Sequence, residues 1–599
     1  MPQPTDPAVE VGAGRRASGW QRADPARLRL FAVALLVGVV VACSTALLIA
    51  GIAWVQIALF GHGEERDFAS HVAGLPAWRV VLAPVLGGLV VGILIYGLPG
   101  RRYHGIADVM EACAFRGGRM DVRSGVGAAT AAVVSLGAGA SVGREGPAVH
   151  IGASLAAWVA DRLGLSRSHS LTLLGCGAAA AVTASFNAPI AGVLFALEVV
   201  VGYYTLRVFA PIVVASMGAL VVTQQLQEHG DFVFSVPPLS LESLWELPAF
   251  AVLGVASAAC AVVLVLGVQR VQAVHGAVCV PLWLRPALGG LLVGLIGLQV
   301  PYALGVGYQT TDLALQGTLV AQSGLLVVVI LAAKLAATVV SLGSGFAGGV
   351  FSPALVLGAV LGTGVGGVFN GWVPGGVSSE PVYAIVGMAA VASATLGAPI
   401  STILIVFELT GNYSIVAAVM LASAVASSCM GFAPFTSFFR WQLQRRGVNI
   451  VAGRDQSLLR TETIDALVSD SYCLIGEHDS LLQVQIKVGA CRRHAVVMTD
   501  NTQRFIGSAV LRDLMRHDAA GEPLPVIDQL RDSRASLRPG TSLSGALDAL
   551  VSSASEFLPV VVTDDAGDLR VLGVVWYNDV LARNNALLKQ ARAEEFGVN

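Results

Sequence analysis

The chain has 599 residues, 55% of them hydrophobic and 13% charged, with a net charge of −2 and a mean hydropathy of +0.71. So much apolar sequence excludes a single soluble domain and points to a polytopic membrane protein, and the near-neutral balance gives no reason to expect a nucleic-acid partner. The eight cysteines are scattered, with no CxxC and no His/Cys cluster, so neither a disulfide framework nor a metal site is expected.

Residues 1–28 are polar, contain proline and read as a flexible arm without a cleavable signal pattern. Arg15, Arg16, Arg22, Arg27 and Arg29 precede the first apolar run, which places this end in the cytoplasm by the positive-inside rule. Apolar stretches follow at 30–60, 78–97, 124–142, 146–160, 170–184, 189–204, 208–223, 247–269, 284–300, 323–342, 352–369, 382–397, 399–410 and 414–431. Several are shorter than the roughly 20 residues a bilayer crossing needs. Together with 68 glycines, they suggest the broken helices that transporters build near the membrane midplane. Beyond Arg445-Arg446-Gly447 charges become regular and apolar runs short. Residues 29–447 are therefore read as a transmembrane domain and 448–599 as a cytoplasmic α/β domain.

Gly143-Arg144-Glu145-Gly146-Pro147 interrupts an almost unbroken apolar stretch. A glutamate in hydrocarbon is costly, about 2.5–3.5 kcal/mol on insertion scales, and is a functional candidate by default. Pro147 suits the first turn of a helix, whose free N–H groups favour an anion. Glu145, itself an anion, can compete with a dissolved one for the same place. This predicts an anion pathway with a carboxylate plug.

The apolar region is duplicated. Pro147–Ala153 matches Pro353–Ala359, and Ala188-Pro189-Ile190 with Glu198 matches Ala398-Pro399-Ile400 with Glu408. Repeats of this kind often have inverted topology, with the ligand site at their interface. The tail is duplicated as well: Val496–Asp500 leads to Gly507 and Asp513, and Val561–Asp564 leads to Gly573 and Asp579. Each copy reads as helix, strand, turn, strand, helix.

These motifs resemble those of the CLC family of chloride channels and proton–chloride antiporters, followed by a tandem CBS pair at about 462–518 and 527–584. Gly143–Pro147 is the most specific match. Gly349-Val350-Phe351-Ser352-Pro353, Phe186-Asn187-Ala188-Pro189 and Phe407–Tyr413 are also similar to family segments. The resemblance implies an all-α membrane domain of two inverted repeats with broken helices, in a homodimer with an anion pathway in each subunit. It implies transport and not enzymatic chemistry. Glu145 would be the gating glutamate, with Gly143, Arg144 and Gly146 around it and the Val350 and Phe351 amides as anion ligands. Chloride, protons and the bilayer would be the partners, the membrane the cell or inner membrane, and both termini cytoplasmic. No cofactor is required. CBS pairs in general bind adenine nucleotides, and the positions that match the ribose-holding aspartates are Asp513 and Asp579.

Three departures qualify the resemblance. The family's first anion motif, GSGIP, corresponds to Tyr103-His104-Gly105-Ile106-Ala107, so His104 replaces the anion-binding serine and is expected to ligate the anion or cap a helix, beside Gly105. The pore tyrosine falls on Phe439, which removes the second side-chain hydroxyl. The internal glutamate of the antiporters falls on Val199, which cannot carry a proton and favours channel-like or loosely coupled flux over tight antiport. Elsewhere, Arg144 is read as satisfying carbonyls or pairing with a carboxylate, and Glu198 and Glu408 as binding loop backbone. Lys334 fits either a vestibule or a buried pairing. Gly139–Gly143 matches the serine-hydrolase GxSxG around Ser141, but such a Gly/Ala-rich membrane setting favours close packing. The ribose motifs carry Val510 and Trp576 where a hydroxyl residue is usual, so the tail is as readily structural as nucleotide-sensing.

Overall fold

The computed structural model describes residues 25–226, 234, 236, 239–319, 323–372, 378–411, 413–448, 462–476, 479, 481–489, 495–500, 502–510, 535–564 and 567–596. The first half of the apolar region contains α1 (Pro25–Phe60), α2 (Phe68–Ala73), α3 (Ala77–Tyr96), α4 (Ile106–Phe115), α5 (Val122–Gly137), α6 (Glu145–Arg162), α7 (Arg167–Phe186), α8 (Pro189–Phe195) and α9 (Leu206–Leu226). The second contains α10 (Leu247–Ala277), α11 (Arg285–Gln299), α12 (Tyr308–Leu315), α13 (Gly324–Ser344), α14 (Phe351–Trp372), α15 (Glu380–Leu396), α16 (Pro399–Thr410) and α17 (Val416–Cys429), with α18 (Phe438–Arg445) after it. Among the described residues, seven helices are long and apolar enough to cross a membrane, and others are too short. The first helix starts at Pro25, inside the stretch read as a flexible arm. The apolar stretch over 189–204 is the short α8 continued by a π-helical turn, Ala196–Val201, which ends at the left-handed Gly202.

The duplication is a duplication of packing. In the first half α1 lies against α5, α6, α7 and α9; in the second α10 lies against α13, α14, α15 and α17. The halves meet through equivalent pairs, α3 with α11 and α8 with α16. Glycine sets the closest crossings. A Cβ on Gly152 would stand 2.7 Å from the Gly177 carbonyl oxygen, where α6 crosses α7. In the second half a Cβ on Gly358 would stand 2.3 Å from the Gly387 oxygen, where α14 crosses α15. In hydrocarbon, such backbone approach supplies the dispersion contacts that hold helices together.

The halves also cap each other. The Glu198 carboxylate accepts hydrogen bonds from the Ile400 and Ser401 N–H groups, at 3.2 and 2.7 Å, and from the Ser401 hydroxyl at 2.7 Å. Glu408 accepts from the Ile190 and Ala191 N–H groups at 3.0 and 2.7 Å. Each carboxylate thus satisfies the free donors at the N-terminus of the other half's proline-opened helix, the backbone role expected for both residues.

In the tail, β1 (Cys473–Gly476) pairs in parallel with β2 (Ala495–Thr499), which pairs antiparallel with β3 (Phe505–Val510); α19 (Leu481–Gly489) links the first two. The second copy runs α20 (Leu543–Ser552), β4 (Phe557–Thr563), β5 (Leu569–Trp576) and α21 (Tyr577–Phe596), with β4 antiparallel to β5 and Leu537 bridging in parallel to Val560. The helix–strand–turn–strand–helix order holds in this copy, while Asp513 and the end of the first copy lie outside the described residues. Cys473 is disulfide-bonded, which the scattered cysteine spacing did not predict.

Candidate functional site

The loops entering α6 and α14 are bound to each other by their backbones. The Gly143 N–H donates to the Gly349 oxygen and the Gly349 N–H to the Gly143 oxygen, both at 2.7 Å. The Ser141 N–H donates to Ser341 Oγ at 3.1 Å, and the Ala347 N–H to Ser135 Oγ at 2.9 Å. Residues 143 and 349, 135 and 341, and 141 and 347 are repeat equivalents, so each contact is mirrored by its mate. The strap brings the N-termini of α6 and α14 together in the buried interior of the helical domain. Ser141 is fully buried and its hydroxyl shares a hydrogen bond with Thr338 Oγ1 at 2.9 Å; it serves this packing.

Glu145 is the first residue of α6 and is 1% exposed. Its carboxylate crosses to the other half, where it accepts a short hydrogen bond from the Ser352 hydroxyl and a longer one, 3.4 Å, from the Ser352 N–H. An anionic group thus sits on the N-terminus of the 22-residue α14, where free N–H groups and the helix dipole favour negative charge. The adjoining N–H groups of Val350 and Phe351 donate to no other group among the described residues. Gly143 leaves the carboxylate its room, since a Cβ there would lie 2.5 Å from Glu145 Oε2. Gly146 lets the strands of the strap close up, since its Cβ would lie 3.0 Å from Gly349 Cα.

Arg144 is 8% exposed and behaves as expected of a structural arginine. It donates to Glu65 Oε2 at 3.4 Å and to the Ser185 carbonyl at 3.2 Å, and its guanidinium lies 5.0 Å from the centre of the Tyr308 ring. Lys334 is fully buried and donates to the Ala303 and Gly305 carbonyls at 3.2 and 2.8 Å. Of its two expected placements, the buried pairing is the one found.

Three expected anion ligands are otherwise engaged. His104 Nδ1 is 3.2 Å from Asp108 Oδ1 and Nε2 is 3.0 Å from the Pro99 oxygen. The Gly105 N–H donates to Asp108 Oδ2 at 2.9 Å, closing the N-cap of α4. Asp108 is the hub of this cluster, pairing also with Arg102 at 2.7 Å and Arg446 at 3.1 Å. His104 and Gly105 therefore build the α4 cap, which is the second of the two roles expected for His104; the acid three residues after Gly105 was the signal available. The Gly143 N–H is likewise spent on the strap. Phe439, 4% exposed, packs edge-on to Phe438 in α18, which rests on α4 and α15. Val199 is 8% exposed in the π-helical turn beside Glu198. Asp579 lies in the first turn of α21. Sequence reasoning missed Ser352 as the partner of Glu145 and Glu65 as the partner of Arg144, because neither contact follows from a local pattern.

Residues 87–431 match the voltage gated chloride channel family. A ClcB-like protein of Ralstonia nicotianae is 35% identical over 365 residues, covering 60% of this chain and 84% of that protein. A slow cyanobacterial Cl−/H+ antiporter superposes with a TM-score of 0.60 at 20% identity, covering 70% of this chain and 98% of its own. A eukaryotic CLC transporter superposes with a TM-score of 0.58 at 18% identity, covering 92% of this chain and 98% of its own. With its motif loops strapped across two repeated halves and its span matched to these relatives, the chain is an integral membrane protein of the voltage gated chloride channel family.

Proposed function

We propose that this protein moves small inorganic anions, chloride first, across a membrane by a pathway that the Glu145 carboxylate closes. The observation that carries this is the carboxylate on the N-terminus of α14, held by Ser352 where a free anion would also be favoured. When charged, Glu145 fills the seat. When protonated or displaced, it leaves, and the Val350 and Phe351 amides hold a dehydrated anion in its place. The test is flux from liposomes: Glu145→Gln and Glu145→Ala are expected to give steady chloride flux with weak pH dependence. A wild-type pH profile in both variants rejects the plug.

The flux is channel-like or only loosely coupled to protons, because Val199 offers no titratable group at the antiporters' inner position. Little proton movement is expected against an imposed chloride gradient; a reversal potential that tracks the pH gradient stoichiometrically would establish tight antiport instead. We further propose a homodimer with both termini cytoplasmic. Ile190 and Ile400, 56% and 50% exposed at the starts of α8 and α16, offer an apolar face for a second subunit. The repeated helix–strand–strand order of the tail, α19–β2–β3 and α20–β4–β5, supports a CBS pair, with Asp513 and Asp579 as candidate contacts for an adenine nucleotide.

A further inference from the structure

Two tyrosine hydroxyls beside Glu145 have no use in the scheme above. Tyr308, 7% exposed, opens α12 with its ring against the Arg144 guanidinium. Its Oη lies beside both the Ser352 hydroxyl and the Arg144 guanidinium and completes a hydrogen bond to neither. Tyr103 Oη is also buried without a partner, 3.7 Å from the point a Cβ on Gly146 would occupy. Arg144 Nε, a third buried donor, is unpartnered as well. A cleft lined by Gln56, Glu65, Gly307, Gln309 and Thr310 opens beside the first turn of α12. Buried donors left unmade are costly and rare, and their gathering around one carboxylate calls for an occupant that accepts hydrogen bonds.

We infer that the Tyr308 and Tyr103 hydroxyls are side-chain ligands of the transported anion, one on each flank of the Glu145 seat. Both donate to the anion once the carboxylate has left. Replacing water around a small, strongly hydrated anion such as chloride demands such donors more than a large, weakly hydrated one such as thiocyanate does, so the pair also sets selectivity.

This rests on the anion-transport proposal, and the experiment separates the two. Chloride binding is measured by calorimetry on detergent-solubilised Glu145→Gln, in which the charged competitor is absent. Without saturable binding there, the anion proposal fails and this inference with it. With binding, adding Tyr308→Phe or Tyr103→Phe is expected to weaken chloride about tenfold each, the value of one hydrogen bond to a charged partner, and to lower chloride-over-thiocyanate selectivity in liposomes. Unchanged chloride affinity in the double phenylalanine variant overturns the inference. Crystals of Glu145→Gln soaked in bromide give a readout that leaves both tyrosines intact: anomalous density within hydrogen-bond reach of Tyr308 Oη is expected, and a bromide bound in the pathway away from both hydroxyls overturns it.

Discussion

At equivalent positions of the two membrane halves, Arg144, Glu145 and Gly146 stand against Val350, Phe351 and Ser352, while glycine and proline flank both triplets. The flanks do the same work twice: Gly143 and Gly349 bond each other, and Pro147 and Pro353 lie in the first turns of α6 and α14. The triplets do opposite work. One half contributes a carboxylate and the other contributes the Ser352 hydroxyl and N–H that receive it. The scaffold is thus symmetric where it holds two loops in register and asymmetric where one half seats a carboxylate on the other.

The symmetric part is broken most severely at its carboxylate caps. Glu198→Ala leaves the Ile400 and Ser401 N–H groups and the Ser401 hydroxyl without their acceptor; Glu408→Ala leaves the Ile190 and Ala191 N–H groups. At about 1.5–3 kcal/mol for each hydrogen bond to a charged acceptor, thermal unfolding in detergent should show a large loss in both variants and a greater one for Glu198→Ala. Glutamine at either position, which keeps an acceptor oxygen, should recover most of it. Wild-type melting of Glu198→Ala would mean that the mirrored caps do not hold the halves.

Ser352→Ala sharpens the comparison from its asymmetric side. It removes one strong hydrogen bond to the seated carboxylate, a contribution of about 1.5–3 kcal/mol. Glu145 should then leave its seat more readily, and chloride flux at neutral pH should rise by about tenfold or more. In a Glu145→Gln background the same substitution should change flux little. An equal effect in both backgrounds would show that Ser352 acts on the anion and not on the carboxylate.

The difference between the halves was legible in part. Glu145 stood out because a lone acid in an apolar run is expensive, and the glycine–proline punctuation fixed where α6 and α14 begin. The caps of Glu198 and Glu408 were foreseeable because their positions repeat. What sequence could not supply was the partner across the interface. Ser352 reaches Glu145 over a separation of 207 residues and Arg144 reaches Glu65 over 79, and no local period records either contact. Comparing one residue with one residue also left the role of His104 open between anion ligand and helix cap. The α4 N-cap is a group decision among His104, Gly105, Asp108 and Pro99, and the acid at 108 changes what a side chain at 104 finds within reach.

The smallest effect separates the halves by pH. Asp121 caps α5, accepting from the Arg123 and Ser124 N–H groups, and Ser323 caps the equivalent α13, accepting from the Leu325 N–H. Only the first of these caps titrates. The hydrogen bond from the Ser124 hydroxyl, helped by the N–H groups of Ser124 and Arg123, holds the Asp121 carboxyl below the usual carboxylate range against the opposing effect of burial. A group whose folded value is depressed stabilises the fold above its unfolded value, about 3.9, and that stabilisation disappears as pH falls through the folded value. Each alanine substitution should cost about 1 kcal/mol at pH 7. The cost of Asp121→Ala should shrink as the pH is taken below about 4, while that of Ser323→Ala should stay constant. Melting curves of the two variants from pH 7 to pH 3, each against wild type, make the comparison. Parallel pH profiles would mean that the Asp121 cap does not depend on its charge.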